Sequence, residues 1–249
     1  MFRGEEFNKF ALENAVEIKN VPITLKSGRK SHFYVNWRFN DVFLVDKLSN
    51  YVIEFADEYE ILPTCFYPVP EGATKLGIIT QYKYAILSSR YEKGSHPLPM
   101  GRGKPKEHGD VKDRYFIGEP KGRVVVLEDV TTTGLSILET VKNLKDLDCE
   151  IIGVMSLTNR MEKTPIPGKD DRKVVKRFKD VFEDVTGEKY TEPMAVDEAL
   201  IEAGIPYYSL STARDLIPLA IKKFKPSEEV VRSIEREIEE YGIEPISLK

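Results

Sequence analysis

Residues 124–136 read VVVLEDVTTTGLS: four apolar residues, the adjacent acids Glu128 and Asp129, the threonines Thr131, Thr132 and Thr133, then Gly134 and Ser136 as a helical pattern begins. A continuous apolar run is expected of a strand in a parallel sheet covered on both faces, so the acids emerge at its carboxyl end. Open α/β sheets bind their ligands at that end. The residues that follow offer hydroxyls and backbone N–H groups where the next helix presents its positive end, a favourable seat for a phosphate. Carboxylates repel phosphate but accept hydrogen bonds from sugar hydroxyls. The stretch therefore reads as a cradle for a phosphorylated sugar, with the acids on the diol and the threonines on the phosphate. An acidic turn capped by Thr132 or Thr133 would also join a strand to a helix, but it does not require two acids and three threonines together.

The elements that must position this cradle follow from hydrophobic periodicity. Phe7, Phe10, Ala11 and Asn14 predict a helix over Glu5–Asn14. After a Ser27-Gly28 turn, Phe33, Val35, Trp37 and Phe39 alternate with other residues, which predicts an edge hairpin. A helix over Asp46–Tyr59, a strand over Cys65–Val69, a glycine-bearing loop over Pro70–Thr74, a helix over Lys75–Tyr82 and a strand over Ala85–Ser88 come next. Beyond them lie the strand Val124–Leu127, a helix over Leu135–Asp146 and the strands Ile151–Leu157 and Ile205–Leu210. This alternation predicts an α/β domain over 1–249, with a central, mostly parallel sheet flanked by helices. Residues 226–249 hold a last helix capped by Ser227 and stopped near Gly242.

Two segments interrupt the rhythm. Residues 91–120 carry five glycines, four prolines and many charges, too long a stretch for an ordinary connection and typical of a lid or binding loop. Residues 161–196 form a charged insertion with helical patches.

Composition narrows the function classes. A formal net charge of −4 argues against a nucleic-acid partner, while local basic clusters can still hold a small anion. No apolar run approaches the ~20 residues of a membrane span, and the N-terminus lacks a signal-peptide pattern, so a cytoplasmic protein is expected. Cys65 and Cys149 offer neither metal-ligand spacing nor a disulfide framework and read as buried thiols.

The 124–136 stretch resembles the 5-phosphoribosyl-1-pyrophosphate (PRPP) signature of the type I phosphoribosyltransferases, and three further stretches resemble orotate phosphoribosyltransferase. LKSGRKSHFYVN (25–36) is similar to that family's N-terminal hairpin, which implies a hood over 1–45 with Lys26, Phe33 and Tyr34 against the base. RGKPKEHG (102–109) resembles its mobile catalytic loop, here within 91–120, which implies Arg102, Lys106 and His108 acting on the pyrophosphate of a neighbouring subunit in a homodimer. SLTNRMEK (156–163) resembles the segment whose arginine holds the orotate carboxylate, matched by Arg160. An arginine suits that role because its planar fork pairs a carboxylate bidentately. The resemblance places Thr132 near the base and adds Glu71 and Gly72 to the PRPP contacts. Two positions depart from the family pattern: Gly103 stands where a second basic residue commonly follows the loop arginine, and Glu71 where some members carry a lysine.

The resemblance implies transfer of a 5-phosphoribosyl group from PRPP to orotate, with Mg²⁺ arriving on the substrate rather than in a protein cage. Catalysis would be mainly electrostatic, with Asp129 and Glu128 on the ribose and the loop cations on the leaving group. Two alternatives stay open at this point. A phosphoribosyltransferase for another base would keep the cradle but not need Lys26 or Arg160. A non-catalytic PRPP-binding regulator would not need the loop cations.

Overall fold

A computed structural model describes residues 2–108 and 114–248. Gly109, the end of the RGKPKEHG stretch, and positions 110–113 of the expected catalytic loop lie outside the described residues.

The VVVL run forms the middle of β6 (Gly122–Thr131). It lies parallel to β3 (Cys65–Pro68) on one side and β7 (Cys149–Asn159) on the other, and β8 (Tyr207–Thr212) follows β7, in the order β3-β6-β7-β8. Val125 and Leu127 point into one hydrophobic layer and Val124 and Val126 into the other, and all four are buried, as a doubly covered sheet requires. The first layer is built from α1 (Gly4–Asn14), α2 (Val42–Glu58) and α7 (Ala213–Phe224) around Phe7, Phe10, Trp37 and Tyr51. The second comes from α4 (Leu135–Leu144), α5 (Arg172–Thr186) and α6 (Val196–Ile201).

The charged insertion is therefore part of the core. In α5 the apolar residues Val175, Phe178, Val181, Phe182 and Val185 form one buried stripe, with Tyr190 packed edge-on against Phe178 at 4.9 Å. Each such side chain contributes roughly 1.5–3 kcal/mol on burial.

The strand expected at 85–88 is absent: α3 runs from Thr74 to Leu87 and takes in Ala85, Ile86 and Leu87. A side chain does part of that strand's work. Gln81 accepts a hydrogen bond from Phe66 N–H and donates to the carbonyls of Thr64 and Pro97, so it satisfies backbone groups on the open edge of β3.

The N-terminal hairpin pairs β1 (Val16–Thr24) with β2 (Lys30–Val35) as a separate antiparallel sheet. Gly28, at φ 89°, makes the turn between them. Regular pairing stops at Val35, although Trp37 and Phe39 continue the buried alternation. β1 rests on α7, and β2 on α8 (Glu228–Tyr241), whose first turn is capped by the Ser227 hydroxyl accepting Val230 N–H. The 91–120 segment has an ordered stem: β4 (Met100–Gly101) pairs antiparallel with β5 (Phe116–Ile117), and Arg102 and Lys106 N–H donate to Tyr115 and Arg114 carbonyls.

Candidate active site

A cavity of about 990 Å³ opens at the carboxyl ends of β3 and β6, between the hairpin and the start of α4. Glu128, Asp129, Thr131, Thr132, Thr133, Gly134 and Ser136 all line it, so the sequence-predicted cradle is brought together in one place. Gly134 is the N-cap of α4 at φ 77°, a left-handed conformation, and a Cβ there would lie 2.8 Å from Val196 Cγ1. Glycine is thus required twice over, by backbone angle and by space. Thr131 does not present its hydroxyl to the cavity alone, because its Oγ1 donates to Ser156 Oγ at 2.9 Å.

The acids are buried, and Asp129 N–H donates to Glu128 Oε1 at 3.1 Å. Burial, and then the neighbouring charge of Asp129, raise the Glu128 carboxyl well above its ordinary range. Asp129 faces Arg38 Nε at 3.5 Å. Gly72 fits against the same carboxylate: a Cβ at position 72 would fall 2.4 Å from Asp129 Oδ2. Glu71 also lines the cavity, and the space a Cβ would take at Gly103 is filled by the Glu71 carboxylate. The two positions that depart from the family pattern therefore touch.

Among the residues expected at the base, Lys26 and Tyr34 line the cavity and Phe33 does not. Phe33 is 1% exposed in the first hydrophobic layer, because strand alternation sends it to the opposite side of β2 from Tyr34. Lys26 Nζ donates to Ser136 Oγ at 2.8 Å, which ties the hairpin to the first turn of α4.

Arg160 differs most from expectation. Its Nε donates to Glu162, one Nη to the Phe33 carbonyl, and the other Nη to Ser31 Oγ at 3.0 Å and to Glu237 at 2.7 Å. A guanidinium has five N–H donors, so this leaves one, on Nη1, and the bidentate fork foreseen for a substrate carboxylate is already filled. Burial alone would lower the Arg160 pKa, but Glu162 and Glu237 outweigh it and raise the value. Glu162 is shared with Arg29, which also grips Asp170 through two nitrogens at 2.9 and 2.7 Å. Sequence reasoning missed Arg29, Glu162, Asp170 and Glu237. Glu237 carried a readable signal, since it interrupts the apolar stripe Val230, Ile234 and Ile238 of α8.

None of the expected loop residues Arg102, Lys106 and His108 lines the cavity, the last two being exposed, whereas their neighbours Gly103 and Lys104 do line it. Among the described residues no group of three or more His, Cys, Asp or Glu side chains forms a metal cage.

Comparison with known proteins decides the family. No family model matches the chain. The orotate phosphoribosyltransferase of Agathobacter rectalis is 32% identical over 63% of this chain and 70% of its own length. The chain belongs to the orotate phosphoribosyltransferase family. The family's Bifidobacterium longum member is 25% identical over 96% of this chain and 97% of its own. In fold, the orotate phosphoribosyltransferase of Francisella tularensis superposes with a TM-score of 0.60 at 20% identity, covering 95% of this chain and 99% of that one. The parallel sheet, helical layers and antiparallel hairpin are thus those of the type I phosphoribosyltransferase fold. No described helix is long and apolar enough to cross a membrane.

Proposed function

We propose that this protein is a cytoplasmic orotate phosphoribosyltransferase: it transfers the 5-phosphoribosyl group of PRPP to N1 of orotate, giving orotidine 5′-monophosphate and pyrophosphate. The observation that carries this reading is the convergence of both acids, the three threonines, Gly134 and Ser136 on one cavity under the hairpin, in a chain of this family. In the reaction the C1–O bond of PRPP breaks, its electron pair leaves with pyrophosphate, a bond forms between C1 and N1 of orotate, and the N1 proton is given up to the released pyrophosphate or to solvent. Positive charge builds on the ribose as negative charge leaves. Asp129 and Glu128 hold the ribose hydroxyls and stabilise the first, and the N–H groups at the start of α4 hold the 5′-phosphate.

Glu128 and Asp129, with no metal cage among the described residues, would stand beside a Mg²⁺ ion arriving on the substrate, and that ion would supply positive charge for the leaving pyrophosphate. Arg102, Lys106 and His108 neutralise the same group. The absence of Lys106 and His108 from this chain's own cavity wall supports a homodimer in which the loop serves the partner subunit. Exposed Val42 and Phe43 on α2 and Ile86 and Leu87 on α3 offer apolar surface for such a partner.

The orotate carboxylate is received by the remaining Arg160 N–H and the Lys26 ammonium, against Tyr34. Uracil, which lacks the carboxylate, would leave these cations unpaired at a cost of about 2–5 kcal/mol, which favours orotate by at least ~30-fold. Pyrophosphate release from PRPP with a panel of bases tests this. The expected result is release with orotate, at least ~30-fold less with uracil, and none with any base in Gly134→Val. Equal use of uracil and orotate would point to another base, and tight PRPP binding without release for any base would point to a regulator.

A further inference from the structure

The inserted helix α5 does more than cover the sheet. Its N-cap Asp171 accepts Lys173 N–H at 2.8 Å, and its buried stripe fixes the helix against α4. This rotation turns Lys173, Val174 and Arg177 toward the cavity, where they form part of the same wall as Thr132–Ser136. Residues 173 and 177 stand one turn apart on one face. Their charges have different fates. Arg177 is paired with Glu139 of α4, whereas the Lys173 ammonium has no ion-pair partner among the described residues. Lys26, bonded to Ser136, belongs to the same wall through the hairpin.

We infer that Lys173 is a further binding residue for the sugar 5′-phosphate, so that the insertion completes the phosphate end of the site. The inference rests on the phosphoribosyl-transfer reading. A phosphate in the 132–136 cradle carries close to two negative charges, of which the α4 terminus offsets only about half of one. An unpaired lysine on this wall is the group the chain supplies for the remainder. Asp170 and Asp171 are the acids nearest Lys173 in sequence, and Glu139 contacts Arg177; Asp170 is held by Arg29, Asp171 by backbone N–H groups, and Glu139 by Arg177.

Calorimetric titration of the full-length protein with ribose 5-phosphate and, separately, with inorganic pyrophosphate tests the assignment. Lys173→Ala is expected to weaken ribose 5-phosphate about tenfold, equivalent to ~1.4 kcal/mol, to leave pyrophosphate affinity unchanged, and to flatten the salt dependence of ribose 5-phosphate binding. Lys173→Arg is expected to restore most of the loss. Lys173 is exposed, so the variant keeps its fold, and an unchanged melting temperature verifies that. Unchanged ribose 5-phosphate affinity in Lys173→Ala, or an equal loss for both ligands, overturns the inference while the transfer reading stands. A wild-type protein that binds neither ribose 5-phosphate nor PRPP overturns the phosphoribosyl site itself.

Discussion

Replacing Arg160 by alanine removes the centre of a buried charge network, and the structure sets the size of the effect. The Arg160 side chain is 4% exposed and bonds to Glu162 and Glu237, which are 6% and 12% exposed. The network holds two arginines, Arg29 and Arg160, against three acids, Asp170, Glu162 and Glu237. Without Arg160, one cation faces three acids, and Glu237, whose pKa burial already raises, has no other cation in the network. Breaking a buried pair from one side costs about 3–5 kcal/mol, because the other charge stays buried and unpaired. In a chain of this size each kcal/mol lowers the melting temperature by roughly 2–4 °C, so Arg160→Ala is expected to melt about 6–20 °C below wild type. The double variant Arg160→Met with Glu237→Leu replaces both ends with apolar groups and leaves Glu162 with Arg29, so it is expected to recover much of the loss. Thermal unfolding followed by circular dichroism measures both. An Arg160→Ala variant within ~2 °C of wild type, or a double variant no more stable than the single one, would refute the argument. Reduced orotate turnover in Arg160→Ala must therefore be read beside its stability.

Two further outcomes are expected. Because burial and Asp129 raise the Glu128 carboxyl, the folded state holds that proton more tightly than the unfolded chain; stability is lost as pH rises from the ordinary carboxylate range through the raised value. Glu128→Gln is therefore expected to stabilise the ligand-free protein more at pH 8 than at pH 5, by roughly 1–3 kcal/mol, in urea unfolding; a pH-independent difference would contradict it. Lys106→Ala and Asp129→Ala are each expected to be inactive alone and, when mixed and allowed to exchange subunits, to regain about a quarter of wild-type activity through hybrid dimers with one intact site. No recovery despite verified hybrids would mean that the loop serves its own subunit.

The cradle was legible in the sequence because its chemistry is local: strand, acids, hydroxyls and helix start lie within 13 residues. The parallel order followed from the same alternation of elements. The strand expected at 85–88 was misread because Ala85-Ile86-Leu87 is a short apolar run, which periodicity cannot assign, and because the edge of β3 is served by one glutamine side chain. Phe33 and Tyr34 were both expected at the base, yet neighbours in a strand face opposite ways, so only one of them reaches the cavity. The network around Arg160 was out of reach for another reason. Arg29 meets Asp170 across 141 positions and Arg160 meets Glu237 across 77, and nothing local pairs them.

Glu71 and Gly103 show how two departures can share a physical cause. Taken singly, an acid at 71 and a missing cation at 103 each weaken attraction for a pyrophosphate. Their contact changes the question, because the Glu71 carboxylate occupies the space that a side chain at 103 would need first. Glu71 is exposed, and its end is flexible, so sterics alone do not exclude a larger residue at 103. Charge gives the stronger constraint: a lysine at 103 would pair with Glu71 and be withdrawn from the leaving group, whereas glycine lets the chain pass while Lys104, one position on, keeps a cation in the cavity wall. The acid at 71 would thus make a cation at 103 unproductive, and Lys104 is the neighbouring cation that lines the cavity in its place.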